Sequence, residues 1–153
     1  MCDYGYIIRT PSLPADTLNR WGIEAAWQMQ RWMIQGEWMG LDLDGPSAGD
    51  SESLRTGYAM VNWTVLGPAR VYKDGVFTTG TPSDGIGPLD LAVRFGSADL
   101  PGAVAEDIGQ DTWTIGATLA IGKHSRVQSA YIMAEDDRGR DADIWQLRLQ
   151  VHY

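Results

Sequence analysis

The feature that most restricts this chain is a period of two. In seven stretches, roughly residues 20–29, 31–41, 56–66, 88–97, 111–121, 126–134 and 143–153, apolar and polar residues alternate. Successive side chains of a β-strand point to opposite faces, so each stretch predicts a strand with one apolar and one polar side. In "PLDLAVRFG", Leu89, Leu91, Val93 and Phe95 oppose Asp90, Ala92, Arg94 and Gly96. The sixth stretch sets Val127, Ser129, Tyr131 and Met133 against Arg126, Gln128, Ala130 and Ile132. The last, "DADIWQLRLQVHY", sets Trp145, Leu147, Leu149, Val151 and Tyr153 against Gln146, Arg148, Gln150 and His152.

One stretch fits two patterns. In "WGIEAAWQMQRWMIQGEWMG", Ala, Glu, Gln and Met favour helix, and Trp21, Ala25, Gln28 and Trp32 would share a helical face. Read as strands, Trp21, Ile23, Ala25 and Trp27 oppose Gly22, Glu24, Ala26 and Gln28. After a turn at residues 29–31, Trp32, Ile34, Gly36 and Trp38 repeat the pattern. The strands that follow favour the second choice. Residues 1–153 are expected to form a single, partial barrel domain, with 1–18 an irregular N-terminal segment.

The connections differ by side. The links at 42–55, 97–111 and 135–143 hold 13 acids against 3 basic residues. The links at 29–31, 67–87 and 122–125 hold Arg31, Arg70, Lys73 and Lys123 against Asp74 and Asp84. Hairpins alternate sides, so one rim is acidic and the other mildly basic. The long link from Gly67 to Gly87 has room for a short extra element.

All seven tryptophans share the apolar parity and sort by height. Trp27, Trp32 and Trp63, with Tyr153, lie toward the basic rim; Trp21, Trp38, Trp113 and Trp145, with Tyr131, lie toward the acidic rim. Two aromatic belts around a band of aliphatic residues match the two interfaces of a bilayer. The alternative is a soluble β-barrel whose apolar parity faces inward around a small apolar ligand. A stretch of about 18 apolar residues, which a membrane-spanning helix needs, is missing. Alternating barrel strands escape that criterion.

A net charge of −8 argues against nucleic acid as a partner. His124 and His152 are the only histidines, and Cys2 the only cysteine, far from both. Ser125 beside His124 lacks a third catalytic member. "GPSAG" and "GIGP" fit no phosphate-binding fingerprint and read as turns. The acidic "AEDDRGRDAD" lacks the spacing of an EF-hand loop and reads as a solvated loop. No enzyme, cofactor or metal centre is expected. "MCDYGYIIRT" lacks the charged and apolar regions of a secretory signal, so an exported chain is expected to be a mature or truncated piece.

An apolar stripe ending on an aromatic resembles the assembly signal of bacterial outer-membrane barrels. With "GIEAAW", "GEWM", "GYAMVNW", "DLAVRFGSADL", "WTIGATL", "RVQSAYI" and "DADIWQLRLQVHY" in order, the chain resembles the C-terminal part of the phosphate-selective porin O and P family. The resemblance implies a trimeric, water-filled, 16-stranded antiparallel transmembrane β-barrel for small solutes, often anions, with about its last seven strands here. It also implies a bilayer with lipopolysaccharide, and the barrel assembly machinery, as partners. The chain departs from the family at "LGPA" after the third strand and at "TIGATLAIG", and the family's basic anion site lies upstream of the match. Glu24, Glu37, Arg94, Arg126 and Arg148 are the candidate lumen-lining charges, with cross-strand ion pairing as their structural alternative. The belt is assigned to Trp21, Trp27, Trp32, Trp38, Trp63, Trp113, Trp145 and Tyr153, and the assembly signal to Leu149, Val151 and Tyr153. Alone, seven strands are expected to stay an open curved sheet, to aggregate, or to curl into a small barrel. A complete eight-stranded barrel would need a further strand from "CDYGYIIRT".

Overall fold

The structure, a computed structural model, describes residues 16–45, 51–74, 76–78, 85–100 and 108–151. In chain order its strands are β1 (Thr17–Met29), β2 (Trp32–Asp44), β3 (Ser51–Leu66), β4 (Val71–Lys73), β5 (Val76–Thr78), β6 (Ile86–Leu100), β7 (Ile108–Ile121), β8 (Ser125–Asp136) and β9 (Asp141–Val151). Seven form one sheet in the order β1-β2-β3-β6-β7-β8-β9, with every pairing antiparallel. The short β4 and β5 pair separately, inside the long Gly67–Gly87 link.

The ambiguous tryptophan-rich stretch is a hairpin. Trp27 pairs with Ile34 and Trp21 with Gly40 around a turn where Gln30 takes φ 52°. As a helix it would have left β3 without a neighbour for its Trp63 row. β1 begins at Thr17, inside the segment expected to be irregular; residues 1–15, with the proposed eighth strand, lie outside the described residues.

Register puts the alternation on two continuous faces. One row of the apolar face runs Trp27, Ile34, Val61, Val93, Ile115, Tyr131, Trp145. The matching row of the polar face runs Ala26, Gln35, Met60, Arg94, Thr114, Ile132, Ile144. The first row lies two residues from the short-turn end of β1 but six from that end of β9. Such stagger accompanies strands tilted against the axis of a barrel.

The sheet has almost no core. Among the described residues, Met33, Pro88 and Ala120 are the buried apolar side chains. Most large residues of the apolar face, from Ile23 on β1 to Leu149 on β9, are 38–69% exposed. A soluble domain of this length would hide most of them, so this face requires an apolar solvent. The edges, β1 and β9, are both odd members of a seven-strand meander and run in the same direction. Pairing them directly would be parallel, so these strands cannot close on themselves by antiparallel pairing.

Candidate functional site

Hollows among the described residues indent the sheet, and polar-face side chains line them. At the short-turn end, the β4–β5 hairpin folds over this face. Tyr72 and Phe77, 4.9 Å apart, share a hollow with Met33, Gln35 and Met60. Arg70 ties the hairpin down: its Nε donates to Asn62 Oδ1 at 3.0 Å and its Nη2 to Asp90 Oδ2 at 3.0 Å. Thr64 Oγ1 donates to the other carboxylate oxygen at 2.6 Å, and Gln28 Nε2 to the Arg70 carbonyl at 2.7 Å. Asp90, Asn62 and Thr64 are all buried, and each polar group is satisfied, as a buried charge requires. A register shift between Thr64 and Leu66 lies beside this cluster, where a bulge turns the chain off the sheet.

Midway along the face, Arg94 lies over the Tyr58 ring at 4.2 Å, and Gln35 Nε2 donates to the Tyr58 hydroxyl at 2.8 Å. Arg94 opens onto a hollow of about 230 Å³ shared with Gln110, Thr112 and Thr114. Farther along, Arg126 Nε donates to Gln150 Oε1 at 2.8 Å. Glu24 and Glu37 are register partners, so their Cβ atoms stand about 5 Å apart. None of Glu24, Glu37, Arg94, Arg126 and Arg148 forms an ion pair with another among the described residues. Asp90, a further acid of this face on β6, pairs with Arg70 of the connecting link.

All seven tryptophans lie on the apolar face, as the register shows. Trp32 and Trp63 stack at 5.3 Å with planes 7° apart, and Phe95 tilts against Trp113 at 5.0 Å. Trp21 and Trp38 lie across Gly40 and Gly57, where an added Cβ would overlap the indole. Arg55 reaches over Trp21 at 5.3 Å and pairs with Asp42 at 2.6 Å, just beyond the aromatic row. Leu149 and Val151 continue the exposed stripe of β9; Tyr153 and His152 lie outside the described residues.

At the acidic rim, the β8–β9 turn closes on Asp136. Its carboxylate accepts from the backbone N–H of Arg140 at 2.9 Å and of Arg138 at 3.0 Å, and from Arg140 Nε at 2.6 Å. The Arg140 amide and guanidinium, with the Arg138 amide, hold this carboxyl below the usual aspartate range.

A sequence profile of the phosphate-selective porin O and P family matches residues 4–153. The chain belongs to this family. The porin chain is also 31% identical over 114 residues to an uncharacterized protein of Caulobacter vibrioides, covering 70% of this chain and 22% of that protein. It therefore spans about a fifth of that relative's length. Family and sheet agree on the antiparallel strand architecture of an outer-membrane porin barrel. The sequence did not disclose the Arg70–Asp90 clamp of this porin chain, whose partners are 20 residues apart and joined across a bulge. The only available signal was an aspartate in the middle of "PLDLAV".

Proposed function

We propose that these strands form part of the wall of an outer-membrane channel through which small hydrophilic solutes, phosphate and other anions among them, diffuse passively. One observation carries this: the hollows and the midstrand charges lie on one face, while the other is bare and apolar. The first face lines water and the second meets lipid, with Trp21, Trp27, Trp32, Trp38, Trp63, Trp113 and Trp145 at the two interfaces. A soluble barrel would need the opposite arrangement.

Anion passage rests on Arg94, Arg126 and Arg148, which no carboxylate neutralises among the described residues. A phosphate-sized anion in the Arg94 hollow meets a guanidinium, three threonine hydroxyls and an amide. Strands beyond these seven close the barrel, since antiparallel closure requires an odd number more. The single domain, the trimer, and contacts to lipopolysaccharide belong to the same proposal. Leu149, Val151 and Tyr153 present the stripe that the barrel assembly machinery recognises; deleting Tyr153 is expected to lower membrane insertion, measured by cell fractionation.

Reconstitution of the assembled porin into planar bilayers tests the channel. Stepwise conductance with a reversal potential favouring anions is expected. A well-folded monomer recovered from detergent-free buffer, with no conductance, would overturn the proposal.

A further inference from the structure

The alternation of the sheet inverts at its acidic rim. Beyond Trp21, the side that should meet lipid carries Asn19, Asp42, Ser53 and Arg55. The side that should meet water carries Leu18, Met39, Leu41, Leu43 and Leu54 beside Arg20 and Glu52, with Leu18 opposite Leu43 and Leu41 opposite Leu54. Polar outward groups suit headgroups and water above the aromatic row. Apolar inward groups in an aqueous vestibule are unfavourable unless something covers them.

Met39, Leu41 and Leu54 floor a hollow of about 650 Å³ that Arg20, Glu24 and Glu37 also line. Its volume falls within the usual range for sites that take small molecules. Glu24 and Glu37 close its inner end side by side, a like-charge juxtaposition that destabilises the bare wall. No cation of the described residues answers them: Arg94 is committed to Tyr58, and Arg70 to Asp90 and Asn62. Arg20 is four residues up β1, so its Cα is about 13 Å from that of Glu24. Two carboxylates against one guanidinium leave the hollow negative, with the charge at one end and the apolar floor beside it.

We propose that this hollow is a vestibular binding site for small organic cations with an apolar body. The ammonium or amidinium group meets Glu24 and Glu37, and the body lies on Met39, Leu41 and Leu54. The chemistry opposes that of the Arg94 hollow, so cations entering from the acidic rim are retained where anions are not. This rests on the channel function proposed above.

The test is current block in the assembled porin, reconstituted in planar bilayers, by phenethylammonium added at the acidic-loop side. Phenethylammonium is expected to interrupt the current in resolved events. Ethylammonium, with the charge and no ring, and phenylacetate, with the ring and the opposite charge, are expected to block at least about tenfold more weakly, as is phenethylammonium acting on Glu24→Gln/Glu37→Gln; tenfold is the scale of two partly solvated charge contacts. Leu41→Ser, alone, is expected to shorten the events. Open channels without block, or block that survives the double substitution, overturn the inference and leave the channel intact; a loop of the porin folded over the leucines would give the first result. Equal block by phenylacetate also overturns it. No conductance from the unmodified protein overturns both the channel and the site.

Discussion

The two flanks of the sheet's polar face are built by one rule and end with opposite chemistry. On β1–β3 the polar face holds Glu24 and Glu37 as neighbours, an apolar patch at its rim and an aromatic hairpin at its base. On β6–β9 it holds Arg94, Arg126 and Arg148 among threonines and glutamines. The outward faces of the two flanks show no such divergence, since both carry aliphatic residues in mid-strand and aromatic residues toward the acidic rim. Lipid imposes one solvent on every outward position. A water-filled interior tolerates any polar residue, so charge can be distributed there by function.

The largest expected effect breaks the acidic flank at its base. Arg70→Ala leaves Asp90 buried with only Thr64 as a partner, which costs about 3–5 kcal/mol. The heat-modifiable folded form of the assembled porin should unfold at lower temperature. Channel conductance should rise as the β4–β5 hairpin loses its tie to the wall. Arg126→Ala on the other flank removes one part-exposed hydrogen bond and is expected to cost about 1 kcal/mol. Equal destabilisation by the two substitutions would erase the structural difference between the flanks.

Next in size is a substitution that ignores the flanks. Val61 and Val93 are register partners on the apolar face, one on each side of the boundary between β3 and β6. Val61→Arg and Val93→Arg should each cost about 2–4 kcal/mol, as a cation at the bilayer midplane does. The two costs are expected to agree within error when folding into lipid vesicles is titrated with urea. Ile132→Arg, on the polar side opposite Thr114 and Ile144, should fold as the unmodified protein does. A tolerated arginine at Val93 would mean that this face is covered by protein.

These contrasts follow unequally from the sequence. The period of two found all seven long strands and placed every tryptophan on one face, because bilayer and lumen enforce alternation at each position. The same rule failed at the acidic rim. The expected segments 20–29, 31–41 and 56–66 omit Leu18, Leu43 and Leu54, although β1, β2 and β3 run on through them. Where outward residues leave the hydrocarbon the preferred parity inverts, and an inverted strand reads as a strand that has ended. The Arg70 clamp was hidden for another reason. A link of this length can fold to either side of a sheet, and only the three-dimensional path brings its arginine to Asp90. The charges Glu24, Glu37, Arg94, Arg126 and Arg148 were legible as polar-face residues, but their partners, Tyr58 for Arg94 and Gln150 for Arg126, were not.

Smaller effects should separate the flanks electrically. Arg94→Gln removes a guanidinium held over Tyr58 without emptying the hollow, and is expected to lower the anion-to-cation permeability ratio about two- to fivefold, the scale of one partly screened charge. Glu37→Gln should move the ratio the opposite way. Reversal potentials across a salt gradient measure both, and raising the salt should shrink both shifts as screening increases. Shifts of the same sign would show that the two flanks do not act as opposite charges on the permeating ion.

The smallest expected effect lies at the acidic rim of the β8–β9 hairpin and depends on pH. The Asp136 carboxyl is held below its ordinary value of about 3.9, first by the Arg140 amide and also by its guanidinium. A carboxyl with a depressed folded-state pKa stabilises the turn fully above the ordinary value, and that contribution is lost as the pH falls through the lowered one. The amides of Arg138 and Arg140, both donating to this carboxylate, should therefore be protected from hydrogen exchange at pH 6 and lose protection, after correction for intrinsic rates, toward pH 3. The ladder between β8 and β9, where Ala130 pairs with Gln146, should keep its protection over the same range. Asp136→Asn abolishes the pH dependence by removing the titrating group. Protection of the Arg140 amide that is indifferent to pH in the unmodified chain would mean that strand pairing alone holds this turn, with the carboxylate as a bystander.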